Sequence, residues 1–312
     1  MKKSEANDPI CRRFSIFKIK KSSYEIMIYK SYKDLADTIR LNAWKVPTDV
    51  DVIVGVPRSG MMVAIMLAEL LNKDVATLDD LVAGHTMGCG GRSMLIKRTR
   101  SMKVLMVDDT VFNGTSINKY RQLIEMRNLP FQFIYACIFA EGEHAKEMVD
   151  IYFEDIYNPN EKLYLYEWNI LHHYEHKTKF FMFDMDGVLC KEPPDERNIQ
   201  EYEAYLPDAV PIVVPTTRVG AIVTYRLEKY RGVTEAWLKR WGIECGELRM
   251  FDAPDYVARG KVMNHYQFKG EIYRDAEWAK LFIESSAFQA DWINYISHKP
   301  VFCYENGRLY DK

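Results

Sequence analysis

The chain has 312 residues, 48% of them hydrophobic and 28% charged, enough for two domains with cores of their own. Its 42 basic and 44 acidic residues nearly cancel, so no overall field favours nucleic acid or an anionic membrane. Cys11, Cys89, Cys137, Cys190, Cys245 and Cys303 lie far apart with no CxxC pair, as expected of reduced thiols in a cytosol. The N-terminus is too charged for a secretory signal, and no apolar run approaches the ~18–20 residues of a membrane span. A cytoplasmic protein without a transmembrane segment is expected.

Residues 1–30 read as an N-terminal extension. From residue 31 strand and helix signals alternate. "DVIVGV" (51–56) predicts a strand ending in a Pro/Gly turn, and "MMVAIMLAELLN" (61–72) a helix. "KVLMVDD" predicts the next strand, followed by a helix from about Ser116 to Met126 and a strand over 131–140. Residues 150–179 are aromatic and polar without clear periodicity, which suits a linker or lid. A second alternation opens with "KFFMFDMDGVL" (179–189). It continues through strand "GAIVTYR" (220–226), helix "VTEAWLKRWG" (233–242), strand "LRMF" (248–251), helix "WAKLFIES" (278–285) and strand "PVFCY" (300–304). Apolar strands alternating with helices indicate parallel sheets covered on both faces. The expected fold is α/β in two domains, each a mainly parallel sheet flanked by helices. The first spans 31–177, with 141–177 as its hood or linker, and the second 178–312.

Ligands of such sheets collect at the carboxyl ends of the strands. "VGVPRSGMM" (54–62) leaves a strand and enters a helix, so its small residues bring backbone N–H groups to an anion at the helix start. Arg58 adds a planar fork for diphosphate oxygens. In "VLMVDDTVFNGTS" (104–116), Asp108 and Asp109 can accept from vicinal ribose hydroxyls. The N–H groups and hydroxyls of Phe112, Asn113, Gly114, Thr115 and Ser116 can cup a phosphate behind them.

This second stretch resembles the PRPP-binding signature of type I phosphoribosyltransferases: four apolar residues, two acids, three variable residues, then Thr-Gly-x-Thr, here Asn113-Gly114-Thr115-Ser116. The resemblance covers roughly residues 30–145. It implies that Val56-Pro57-Arg58-Ser59-Gly60 holds pyrophosphate and that a glycine-rich loop, 83–94, closes over PRPP. It further implies displacement of pyrophosphate from C1 through an oxocarbenium-like state, with Mg²⁺ carried mainly by PRPP oxygens and Arg92 or Lys97 assisting.

"FFMFDMDGVLC" places Asp184 and Asp186 two apart at a strand end, with Gly187 permitting a tight turn. A carboxylate nucleophile beside a second carboxyl that shuttles a proton suits phosphoryl transfer. The stretch resembles the first motif of haloacid dehalogenase (HAD)-superfamily phosphatases. That resemblance implies Asp184 as nucleophile, Asp186 as acid/base, Thr224 ending the next strand, and Lys269 (with Lys261 as competitor). It also implies an Mg²⁺ site of Asp184, Asp186 and Glu284. The family usually pairs the last acid with a close neighbour, whereas Asp291 lies seven residues on. The insert at 190–218 is short, which implies a nearly capless, open site.

Among the remaining features, "HHYEH" (His172, His173, His176) lacks a partner at zinc spacing and reads as a polar segment. Trp168 fits an acceptor contact or the inter-domain seam equally. Together the halves suggest transfer of phosphoribosyl from PRPP, then removal of its 5-phosphate. Such pairings resemble enzymes that install β-ribofuranose in bacterial polysaccharides. The acceptor would be a glycan hydroxyl or a small molecule, with a general base from 141–176 such as Glu167. A nucleobase phosphoribosyltransferase coupled to dephosphorylation and a non-catalytic PRPP or nucleotide sensor stand as alternatives. Homodimerisation and association with other polysaccharide-assembly enzymes complete the expectations.

Overall fold

The computed structural model describes residues 26–88, 101–172 and 175–311. Strand β1 (Ile26–Lys30) leads into α1 (Tyr32–Asn42), whose start is fixed by a reciprocal cap between Ser31 and Asp34. The first sheet comprises β2 (Val52–Gly55), β3 (Asp74–Ala76), β4 (Lys103–Val111), β5 (Gln132–Ala140) and β6 (Ile151–Asp155). They run parallel in the order β3-β2-β4-β5-β6. Helices α2 (Ser59–Leu71), α3 (Leu78–Val82) and α4 (Thr115–Met126) supply crossovers. Val52, Val54, Val104 and Met106 fill the core on one face, while Ile53, Leu105 and Val107 fill the other. This two-sided burial is why the strands read as unbroken apolar runs.

A two-stranded parallel ribbon joins β1 to β7 (Glu161–Tyr166). Its period-two alternation divides it between two cores. Tyr164 and Tyr166 pack into the first domain, whereas Leu163 and Leu165 pack into the second. Each buried leucine contributes about 1.5–3 kcal/mol, so the ribbon is a shared wall rather than a linker. Residues 150–179, which lack a clear period in the sequence, thus hold two strands, because β7 is apolar on both faces.

The second sheet has the order β10-β9-β8-β11-β12-β13. Its members are β8 (Phe181–Phe183), β9 (Val219–Leu227), β10 (Cys245–Phe251), β11 (Leu281–Glu284), β12 (Val301–Cys303) and the antiparallel β13 (Arg308–Tyr310). Short helices α5 (Glu175–Thr178) and α6 (Ile199–Tyr205) flank β8, and α7 (Arg231–Arg240) covers one face. The pair α9 (His265–Asp275) and α10 (Ala287–Ser297) covers the other, with α8 (Tyr256–Val262) before it. The helix expected at "WAKLFIES" is strand β11. Leu281–Glu284 is buried throughout, and so short an apolar run carries no period that separates strand from helix. The crossover helix before it is α9, announced by the cap Asn264–Gln267. Among the described residues, no helix is long and apolar enough to cross a membrane.

Candidate active sites

The first constellation lies where the winding of the first sheet reverses, between β2 and β4, the usual ligand crevice of such sheets. Val56 N donates to Val107 O (2.9 Å), clipping the loop after β2 to β4. A Cβ on Gly60 would fall 2.8 Å from Val107 O and 2.9 Å from Asp108 Oδ1, so only glycine lets α2 start this close. Ser59 Oγ donates to Asp109 Oδ1 (2.8 Å), and Trp168 Nε1 donates to Asp109 Oδ2 (2.7 Å). The backbone N–H of Asp109 bonds Asp108 Oδ1 (3.0 Å). Both acids are buried. Burial, reinforced by the Asp109 charge, pushes the Asp108 carboxyl up to about 8.

Behind the acids, Gly114 takes a left-handed φ of 71° and opens α4. Asn113 Oδ1 accepts from Thr115 N (3.1 Å) and Thr115 Oγ1 (2.7 Å), leaving Phe112 and Ser116 exposed at the helix start. Arg58 is exposed beside the loop, one residue ahead of α2, and its peptide with Pro57 is cis. Arg92 and Lys97, with residues 89–94 of the expected closing loop, lie outside the described residues; so does His173, as does the side chain of His176. Trp168 stacks on Phe139 (6.3 Å between centroids) and packs against the first core while bonding Asp109. Glu167 points elsewhere: its Oε2 accepts from Tyr32 N (2.7 Å), and its Oε1 meets the turn at Gly307.

The second constellation lies at the carboxyl ends of β8 and β11, adjacent strands of the second sheet. Asp184 is placed by its N–H to Ile283 O (2.9 Å) and by Met185 N on Oδ1 (2.8 Å). Lys269 Nζ bonds Asp184 Oδ2 (2.7 Å), Glu284 Oε2 (2.8 Å) and Gln289 Oε1 (3.1 Å). Lys261, on α8, is exposed. Burial and the Glu284 charge raise the Asp184 carboxyl well above the ordinary range, and Lys269 opposes them.

Asp186 is held by a residue the sequence reading missed. Arg226 Nε reaches both carboxylate oxygens (3.2 and 3.0 Å), and Nη2 reaches Oδ1 (2.5 Å). No local pattern marks it, because its partner Asp186 lies 40 residues away in the chain. Thr224 itself is fully buried within β9, its Oγ1 accepting from Arg226 N (3.2 Å), and it does not line the cavity.

A cavity of about 450 Å³ is lined by Asp184, Asp186 and Lys269 together with Tyr225 and Arg259. The insert expected to leave this site open contributes Glu192–Arg197 to the wall, and Glu196 is tied to Arg259. The expected metal set is also altered. Among the described residues no group of three or more His, Cys, Asp or Glu is arranged to hold a metal ion. Lys269 stands between Asp184 and Glu284, and Arg226 occupies Asp186, so the carboxylates are compensated by cationic side chains. Asp291 lies on α10, away from the cavity lining.

No protein-family model and no curated protein matches the chain. Among solved structures, the chain is similar to a purine phosphoribosyltransferase from Pyrococcus horikoshii at 17% identity and a TM-score of 0.31, covering 45% of this chain and 91% of that one. It is similar to the xanthine-guanine-hypoxanthine phosphoribosyltransferase of Helicobacter pylori at 18% identity and a TM-score of 0.34, covering 47% and 94%. A chain of a Pnkp1/Rnl/Hen1 complex is similar at 12% identity and a TM-score of 0.32, covering 91% and 98%. These are distant likenesses.

Proposed function

We propose that the chain is a two-site enzyme that transfers 5-phosphoribosyl from PRPP to an acceptor and then removes the 5-phosphate. The observation that carries this reading is the Ser59–Asp109 hydrogen bond. It brings the anion-binding turn after β2 and the acid pair of β4 to one switch point, as a ligand with a pyrophosphate and vicinal hydroxyls requires. Asp108 and Asp109 hold the ribose hydroxyls, Phe112–Ser116 hold the 5-phosphate, and Arg58 faces the leaving pyrophosphate. Mg²⁺ held by the oxygens of PRPP would supply charge neutralisation of the pyrophosphate beside Arg58.

At the second site Asp184 attacks phosphorus, and the ester oxygen leaves as its bond to phosphorus breaks. Asp186, oriented by Arg226, protonates that oxygen and later takes a proton from the water that hydrolyses the aspartyl phosphate. Lys269 neutralises the developing charge. The favoured acceptor is a polysaccharide hydroxyl, giving a β-ribofuranosyl linkage by inversion at C1. The shortness of the 190–218 insert is the reason for favouring a bulky phosphate ester there. A nucleobase acceptor is the second reading, supported by Trp168, which bonds Asp109 and whose ring lies 6.0 Å from that of Tyr32. Mass spectrometry of glycans and nucleobases incubated with PRPP, Mg²⁺ and the Asp184→Asn protein separates the two. Absence of any ribosylated product would remove both.

A further inference from the structure

We infer that Glu141 is the proton acceptor of the transfer step, an inference that rests on the phosphoribosyl-transfer reading of the first site. The strand order supplies the first reason. In the sequence β3-β2-β4-β5-β6 the acid pair on β4 has the pyrophosphate-type turn on one side, after β2, and Glu141 on the other, directly after β5. Displacement at C1 needs its incoming and outgoing groups on opposite sides of the ribose. The acceptor therefore enters from the β5 side, where Glu141 is the acid at the strand end.

Its position is fixed. Glu141 N donates to Val111 O (2.9 Å), and a Cβ on the next residue, Gly142, would fall 2.0 Å from Phe112 O. Only glycine allows this approach of the post-β5 turn to the phosphate loop. The side chain is half-buried. Tyr166 donates its hydroxyl to Oε2, and Oε1 makes no hydrogen bond among the described residues. Tyr166 stacks beside Trp168 (5.0 Å), which donates to Asp109, so Glu141 and Asp109 terminate one continuous wall.

The charged or titratable groups facing Glu141 are Tyr166 from β7, Lys177 from α5 and Asp109 from β4. Burial raises its carboxyl above the ordinary range, with Tyr166 and Lys177 opposing and Asp109 assisting, which suits a base. Glu167, the acid singled out in the sequence, is committed to Tyr32 N and the Gly307 turn. In the step itself, the bond from C1 to the pyrophosphate oxygen breaks and the electron pair leaves with pyrophosphate. The acceptor oxygen bonds to C1, and its proton passes to Glu141 Oε1.

The test follows pyrophosphate release by the full-length protein from PRPP and Mg²⁺, with water and glycerol as hydroxyl acceptors, across about pH 5 to 9. Glu141→Gln is expected to lower kcat about 10²–10⁴-fold, to leave KM for PRPP within about twofold, and to abolish the acidic limb of the profile. Glu141→Asp should restore that limb, and Glu167→Gln should behave as wild type. A Glu141→Gln protein with wild-type kcat and profile overturns the assignment and leaves the transfer reading standing. A Glu141→Gln protein that no longer gains thermal stability from PRPP shows an architectural role and overturns it too. Wild-type protein that releases no pyrophosphate with water, glycerol, glycans or nucleobases overturns both.

Discussion

The ammonium group of Lys269 sits 2.7 Å from Asp184 Oδ2 with both side chains buried, in a pocket that Glu284 also enters. One cation therefore serves two buried carboxylates, with Asp184 and Lys269 at the edge of the cavity. Replacing Lys269 by Met leaves both acids without a compensating cation. The variant is expected to lose about 3–5 kcal/mol of stability, read as a lower urea midpoint, together with hydrolysis of p-nitrophenyl phosphate. Wild-type stability in Lys269→Met would mean that the acids are not compensated by this contact.

Asp184→Asn keeps the shape of the side chain and removes its nucleophilicity. Transfer is expected to continue while the product retains its phosphate, detected as the added mass of a phosphoribosyl rather than a ribosyl group. Unphosphorylated product from this variant would end the sequential scheme.

Asp108 offers a pH signature. Its folded-state pKa of about 8 lies above the ordinary 3.8, so the ligand-free fold favours the protonated form. That stabilisation is complete below the ordinary value and is lost as pH rises through 8. Asp108→Asn should therefore melt above wild type near pH 9 and close to it near pH 4. Parallel melting curves for the two proteins across that range would contradict the burial argument.

The seam between the domains has its own test. Gly307 adopts φ 64°, and a Cβ there would fall 2.5 Å from Glu167 Oε1. Gly307→Ala is expected to destabilise the protein by about 1–3 kcal/mol. Adding Glu167→Ala should recover the steric part and leave the backbone part. No recovery in the double variant would show that the turn does not press on Glu167.

Much of the fold was legible because it rests on local signals. The apolar runs 51–56, 104–107 and 131–140 and the turns behind them needed no partner to be recognised as strands feeding helices. The paired acids were legible too, since adjacent carboxylates at strand ends stand out from their surroundings. The ribbon of β1 and β7 was not, because its alternation is apolar on both faces once two cores claim it. Strand β11, buried on both faces, has no period to separate it from a helix either. Arg226 escaped notice because a lone arginine in an apolar strand has no meaning until Asp186 is seen opposite it.

By itself the sequence determined two α/β halves and the residue types at each strand end, since periodicity and turn chemistry act over a few neighbours. Only the tertiary structure decided which charges meet. Lys269 fell between Asp184 and Glu284, Trp168 fell on Asp109, and Tyr166 fell on Glu141. Those pairings span from 15 to 85 residues of chain. They are set by strand order and burial, and no local pattern encodes either.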